Sequence, residues 1–282
     1  MKNVGIFIKR AKKEAGDAAR MVIANLERHG LVPMIAEEEA HMYDLPYATP
    51  TAELFARCDL LIVLGGDGTF LAAARLLGGR QVPVLGVNLG GMGFMTEIRL
   101  AELPDVLEMV ISGEPRIIGR MRLDVTVHTG HETKNYTVLN DVVITKSALA
   151  RIFDLKISVG GNFMYVAKAD GLIISTPTGS TAYNLAAGGP IVHPQTNGLI
   201  ITPICPHMLT NRPIVVPGDR GVDIELVEDT EVYVTCDGQE GQEIHQGDGI
   251  EVITCDKPLL LIKNPKRTYF DVLREKLHYG ER

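Results

Sequence analysis

The run LLIVLGGDGTFLAAARLL, residues 60–77, places an acid, Asp67, among three glycines between an apolar β-branched segment and a helical one. Glycines at 65, 66 and 68 let backbone amides come close to a ligand, and the free N–H groups of the following helix favour negative charge there. Phosphate is the natural guest. A carboxylate beside phosphates raises the cost of binding them unless it holds a divalent cation or takes a proton from an attacking hydroxyl. Both tasks belong to phosphoryl transfer. The bland alternative is a tight strand-to-helix turn with Thr69 as the helix cap and Asp67 in solvent. The patterns GxxxxGK[ST], GxGxxG, HRD and DFG are all absent, which excludes a P-loop enzyme and the standard dinucleotide fingerprint.

A second loop, in ADGLIISTPTGSTAYNLAAGGPIV (169–192), follows the same strand-loop-helix logic with hydroxyls in place of the acid. Thr178, Ser180 and Thr181 crowd one turn, where Ser180 or Thr181 could cap the short helix that follows. Hydroxyls, Tyr183 and two glycines at one bend, with Asp170 one strand upstream, suit a polyol and an aromatic base better than solvent.

Two kinds of chain must position these loops. Up to about residue 118, β-branched runs alternate with helical patterns: strands at 4–8, 31–36, 59–64 and 82–88, helices at 15–29, 70–77 and 103–111. This is the rhythm of a parallel sheet covered by helices. Residues 40–52, with two prolines and no clear period, are expected to form a mobile loop. From 119 to 264 the strands come closely spaced, LLLIK included, and Val159-Gly160-Gly161-Asn162 signals a hairpin. The expected architecture is an N-terminal Rossmann-like parallel α/β domain (1–118) and a C-terminal β-sandwich-type domain (119–264) that carries the second loop. The helical composition of 265–282 returns to the first domain.

Composition narrows the classes further. Twenty-eight Lys and Arg against thirty-five Asp and Glu give a net charge of −7, and no basic run could track a nucleic-acid backbone. No apolar stretch approaches the ~18 residues of a membrane span, so the cytoplasm is the expected compartment. Four cysteines without a CxxC pair read as reduced core thiols, and His128 and His131 in VHTGHET as a surface hairpin tip instead of a metal site.

GGDGT resembles a signature shared by NAD kinases, diacylglycerol and sphingosine kinases and, more loosely, phosphofructokinases. The block 169–192 is far more discriminating: it resembles the NAD kinase family, and the lipid kinases and phosphofructokinases lack it. GVNLGGMGF (86–94), LNDVVI (139–144), TPICPHMLTNRPIVV (202–216) and VTCDGQ extend the match along most of the chain, in order and spacing. The resemblance implies a bacterial-type NAD kinase that transfers the γ-phosphoryl group of ATP to the 2′-hydroxyl of the NAD adenosine ribose, with Mg2+ held by the ATP phosphates.

Carried over by residue, the resemblance makes Asp67 the base for the 2′-hydroxyl proton, with Gly65, Gly66, Gly68, Thr69 and Phe70 around the phosphates. Asn140 and Asp141 would meet polar groups of NAD, and Asp170 the nicotinamide or ribose. Thr178, Thr181, Ala182 and Tyr183 would line the adenine and ribose pocket, continued by Asn184 and Ala186. Arg151, Lys168 and Gln239 align with less regular binding positions. Asp141 stands where many members have Glu, which shortens its reach. Lys168 stands where Arg is frequent, which keeps the charge and loses the bidentate fork; in the family, a basic residue here goes with ATP over inorganic polyphosphate. The resemblance places the reaction between the two domains and implies a homodimer or homotetramer. A diacylglycerol-type lipid kinase sharing GGDGT and a non-catalytic NAD(H)-binding sensor are the competing readings.

Overall fold

The computed structural model describes residues 1–8, 13–147, 152–208, 210–228 and 230–280. The chain forms two compact units, Met1–Gly119 with Leu259–Arg282, and Arg120–Pro258. Among the described residues, no helix is long and apolar enough to cross a membrane.

The first unit is built on a mainly parallel sheet in the order Ala48–Thr49, Val32–Ala36, Asn3–Ile8, Leu60–Gly65, Val84–Asn88, Leu259–Ile262, Ile117–Arg120, with Ile98–Arg99 paired to Val84–Asn88 off that path. Leu60–Gly65 is buried along its whole length, as a parallel strand covered on both faces must be. Ala15, Ala18, Ala19, Val22, Ile23 and Leu26 recur at helical spacing on Lys13–Arg28 and join Val4, Ile6, Ile62 and Leu64 in one core. Leu60–Gly65 and Val84–Asn88 run parallel with Gly65 opposite Asn88. The loops that follow the two strands therefore leave the same end of the sheet, the carboxyl edge where open α/β sheets take ligands.

Residues 40–52 are not the loop expected. Helix Glu37–Tyr43 ends at Asp44 in the left-handed region (φ 50°), Ala48–Thr49 pairs with Val32–Ala36, and helix Thr51–Arg57 starts behind Pro50. Glu37, Glu38 and Glu39 in the first turn suit a helix N-terminus, and Leu54 and Phe55 anchor the second helix by burial. Seven residues are too few for either helix to declare a period in sequence. LLLIK is also reassigned: Leu259–Ile262 enters the first unit's sheet in parallel with Val84–Asn88. The apolar run fixed its strand character but not its sheet.

The second unit packs two six-stranded antiparallel sheets. One runs Ile214–Pro217, Gly198–Ile204, Gly171–Ser175, Asp141–Lys146, Val232–Cys236, Glu240–Ile244; the other Asn162–Ala169, Phe153–Val159, Val222–Leu226, Gly249–Thr254, Leu123–His128, Thr133–Val138. Alternate residues such as Leu123, Val125 and Val127 meet Val142, Ile144, Leu172 and Ile174 from the facing sheet. Gly160 and Gly161, at φ 56° and 75°, make the hairpin turn. Ile214–Pro217 and Glu240–Ile244 are edge strands with largely exposed side chains. All four cysteines are free; Cys58 and Cys236 are buried, but Cys205 is exposed at the end of its strand and is no core thiol.

The return of the chain to the first unit is fastened by a buried ion pair. Glu97, 1% exposed, accepts from the ammonium of Lys263, 7% exposed, and from the Asn264 amide at 2.9 Å. Arg267 donates to the Glu97 carbonyl at 2.6 Å and pairs with Glu102 at 3.0 Å. Removing one partner of a buried pair strands the other charge. Lys263→Met is expected to destabilise the protein by about 3–5 kcal/mol, measured by urea denaturation followed by circular dichroism.

Candidate active site

The helix that follows the glycine loop spans Asp67–Leu77, so Asp67 is its first residue and Gly66 its cap. Thr69 lies inside the helix and caps nothing; its hydroxyl packs where a side chain at Gly65 would have to go. Phe70 is fully buried against Gly86, which takes it off the list of phosphate-side contacts. Around Gly66 and Gly68 there is open space where a side chain would project, and both line a cleft of about 440 Å³ with Thr69, Phe7, Ile8 and Glu39. No packing demand among the described residues excludes a side chain at Gly66 or Gly68; close approach of a ligand would.

Asp67 is not a solvated loop residue. Its Oδ1 accepts from the amides of Met95 and Thr96, both at 3.1 Å, and from the Thr96 hydroxyl at 3.0 Å. Its Oδ2 accepts from the Phe94 amide at 2.8 Å and stands 3.8 Å from Lys276 Nζ. The side chain keeps 24% exposure. Oδ1 is saturated, and Oδ2 alone retains a lone pair for an incoming proton. Asn88, at the end of the neighbouring strand, shapes the NLGGMGF loop that supplies these donors: its amide nitrogen donates to the Gly91 carbonyl and to Thr96 Oγ1. A Cβ on Gly93 would overlap Asp67 Oδ1, so the loop closes on the carboxylate only because residue 93 is glycine.

In the second unit a different aspartate does the gathering. Asp237, at φ 51°, accepts through its carboxylate from the amides of Leu139 (2.9 Å), Asn140 (2.7 Å) and Asp141 (3.2 Å), while its own amide donates to the Asp141 carbonyl at 2.9 Å. Thr176 Oγ1 donates to the Leu139 carbonyl at 2.7 Å, and the Thr176 amide to that of Asn140 at 2.9 Å. Gly179 lies directly on the Asn140 carbonyl, with no room for a Cβ. LND, STPTGST and TCDG are thus drawn into one cluster from three distant places in the chain.

Within this cluster Asn140 is half-buried, and Asp141 is 4% exposed. Burial first, and the Asp237 charge second, push the Asp141 carboxyl up to about 7. The buried hydroxyl of Thr178 has no hydrogen-bond partner among the described residues. Thr181 returns its hydroxyl to the Thr178 carbonyl at 3.3 Å, Ala182 is half-buried, and Tyr183 and Ala186 are exposed. Neither Ser180 nor Thr181 caps the helix Tyr183–Ala186. Ser180 Oγ instead donates to the Pro177 carbonyl at 2.7 Å and accepts from the Val192 amide at 3.0 Å, pinning the loop shut. Asn184 is fully buried with its amide spent internally, on the carbonyls of Ser180 and Pro190 and on the Thr202 hydroxyl at 2.6 Å. It holds the loop and presents no group to a ligand.

The remaining expected residues lie apart from the cluster or at its edge. Asp170 pairs with Lys146 at 2.8 Å, Lys168 stands 3.7 Å from Asp154, and Gln239 is exposed just past the Asp237 turn. Arg151 lies outside the described residues. Sequence reasoning missed Thr96, Asp237 and Lys276. GVNLGGMGF and VTCDGQ flagged the neighbourhoods of the first two; nothing flagged Lys276. Among the described residues no group of three or more His, Cys, Asp or Glu could hold a metal ion.

Residues 4–115 match the model of the ATP-NAD kinase N-terminal domain, and residues 139–264 that of the ATP-NAD kinase C-terminal domain. The chain belongs to the NAD kinase family. It is 47% identical to the NAD kinase of Geotalea daltonii and 48% identical to that of Geobacter sulfurreducens, in each case over the full length of both chains. Yeast NADH kinase, solved in complex with NADH, superposes with a TM-score of 0.94 at 28% identity, covering 100% of this chain and 89% of the other. An NAD kinase from Archaeoglobus fulgidus, solved with ATP, shares the fold at a TM-score of 0.79 and 23% identity, covering 98% and 99% of the two chains. Membership of the NAD kinase family makes the chain an NAD-phosphorylating enzyme with ATP as donor, and neither the lipid-kinase nor the sensor reading is favoured.

The buried Asp141 of this NAD kinase family member has a consequence for stability. Its carboxyl sits at about 7 in the fold against 3.8 ordinarily, so the folded protein keeps a proton that the unfolded chain releases. That contribution is complete below about pH 4 and is lost as pH rises through 7, at up to about 1.4 kcal/mol per pH unit. Asp141→Asn is expected to flatten the decline in unfolding free energy between those limits, measured by urea titration at a series of pH values.

Proposed function

We infer that the protein transfers the γ-phosphoryl group of Mg·ATP to the 2′-hydroxyl of the adenosine ribose of NAD, giving NADP, with Asp67 Oδ2 as the proton acceptor. The single observation that carries the reading is the way Asp67 is held: one oxygen saturated by the Met95–Thr96 donors, the other with capacity left, on a side chain that is partly exposed.

A ribose hydroxyl is a poor nucleophile at neutral pH, and the triphosphate repels attack by its own charge. Transfer needs the 2′-oxygen in line with the γ-phosphorus, neutralisation of the phosphate oxygens, and a base. Magnesium enters as part of the substrate, carried by the triphosphate, and supplies the neutralisation. The backbone at Gly66 and Gly68, with the N-terminus of helix Asp67–Leu77, supplies amides to the phosphates. As the O–Pγ bond forms and the bond from Pγ to the bridging oxygen breaks to release ADP, the 2′-O–H bond breaks and its proton passes to Asp67 Oδ2.

The Asp237-centred cluster supports an adenosine-binding role for the second unit. The orphan hydroxyl of Thr178, the Asn140 amide and the exposed ring of Tyr183 are the groups left over after the loop has satisfied itself. Asp141, holding a proton near neutral pH, can donate as well as accept, which suits a ribose or carboxamide oxygen. Asp170, Lys168 and Gln239 belong to the periphery of this surface, Thr181, Ala182 and Ala186 to its floor. Asn184 acts from behind it, and Phe70 braces the glycine loop of the first unit. The enzyme is expected to work in the cytoplasm as a homodimer or homotetramer.

The test is a coupled assay with purified protein, Mg·ATP and NAD, in which an NADP-specific dehydrogenase reads the product. Loss of a general base costs on the order of 10²–10⁴-fold in rate, so Asp67→Asn is expected to fall by that much while calorimetry still detects NAD binding. Near-normal turnover in Asp67→Asn removes the base assignment.

A further inference from the structure

Lys276 lies on the helix Tyr269–Leu277, and three contacts converge on its ammonium. Nζ stands 3.8 Å from Asp67 Oδ2, donates to the Met92 carbonyl at 3.0 Å and sits 5.3 Å from the centroid of the Phe94 ring. The helix is fixed in turn. Thr268 and Asp271 form a capping box at its start, Glu275 pairs with Arg99, and the Tyr269 ring lies 6.4 Å from that of Phe94. The other charges around the loop are already matched: Glu97 by Lys263, Glu102 by Arg267, Asp271 by Arg274. Among the described residues, Lys276 is the cation within 4.0 Å of the Asp67 carboxylate.

We propose that Lys276 is a positioning residue of the transfer reaction: its charge offsets that of Asp67 beside the triphosphate and leaves Oδ2 free to take the proton. This role rests on Asp67 being the base. The distance is the core of the argument. At 3.8 Å the pair attracts electrostatically but lies beyond hydrogen-bond range, so the charge is balanced without filling the oxygen's remaining valence. The Met92 carbonyl and the Phe94 ring hold the ammonium there by binding it from other directions.

Lys276→Gln tests this, because glutamine can still donate to the Met92 carbonyl but carries no charge. Without the charge, kcat/KM is expected to fall by about tenfold or more, with KM for ATP raised as the repulsion is unmasked. Lys276→Arg, which keeps the charge, should hold both near the parent values. In the Asp67→Asn background Lys276→Gln should cost nothing further, since it acts through that carboxylate. Parental kcat/KM in Lys276→Gln, or a cost equal in both backgrounds, overturns the proposal while leaving Asp67 as base. Lys276→Arg as impaired as Lys276→Gln overturns it too, and remains informative if the glutamine variant folds poorly by circular dichroism. Asp67→Asn with parental turnover would sink the base reading, and this role with it.

Discussion

The Asp67 carboxylate, caught by three successive backbone amides of the Phe94–Thr96 turn, joins the end of one parallel strand to the loop after its neighbour. The interaction settles two problems together. Successive N–H groups in a turn all point inward and need an acceptor if they are to be buried. A carboxylate at the head of a helix needs donors if it is to keep one orientation. Each is the other's solution, and Gly93 is what lets them approach. Because Gly65 and Asn88 sit opposite one another in register, the sheet delivers both partners to the same edge.

The second unit uses the same device with unrelated residues. Asp237 takes the amides of Leu139, Asn140 and Asp141 just as Asp67 takes those of residues 94 to 96. In a β fold no helix stands behind the acid, so Asp237 adopts a left-handed backbone at a hairpin turn to bring its carboxylate round. The cost falls on Asp141, which is buried beside the charge that organises it and holds a proton in consequence. In both units, then, an irregular segment is made rigid by anchoring its amides on one anion.

Much of this was legible in the sequence, and the reasons differ by element. Leu60–Gly65 and the helix after it were plain because a fully buried apolar strand followed by GGDG leaves few alternatives. The Val159–Asn162 hairpin was equally plain, since two adjacent glycines name the turn. The short helices Glu37–Tyr43 and Thr51–Arg57 were invisible because two turns do not establish a period, and each is held by burial of a few residues, Ala40 in the first and Leu54 and Phe55 in the second. At the site, residues standing in motifs could be found. Asp237 was visible only as a member of VTCDGQ and Thr96 only as a neighbour of GVNLGGMGF, since their partners stand far away in sequence. Phe70 and Asn184 show the opposite error: proximity to a functional loop does not separate a residue that faces the ligand from one that braces the loop.

The strand Leu259–Ile262 is inserted between Val84–Asn88 and Ile117–Arg120. A ribosome therefore finishes the whole second unit before it makes the piece that completes the first. Domains usually fold in the order in which they are synthesised; here the earlier one must wait, its sheet divided, until the later one has been made. A nascent chain halted after residue 119 would lack this inner strand, leaving an unpaired gap in the sheet that invites pairing with other chains.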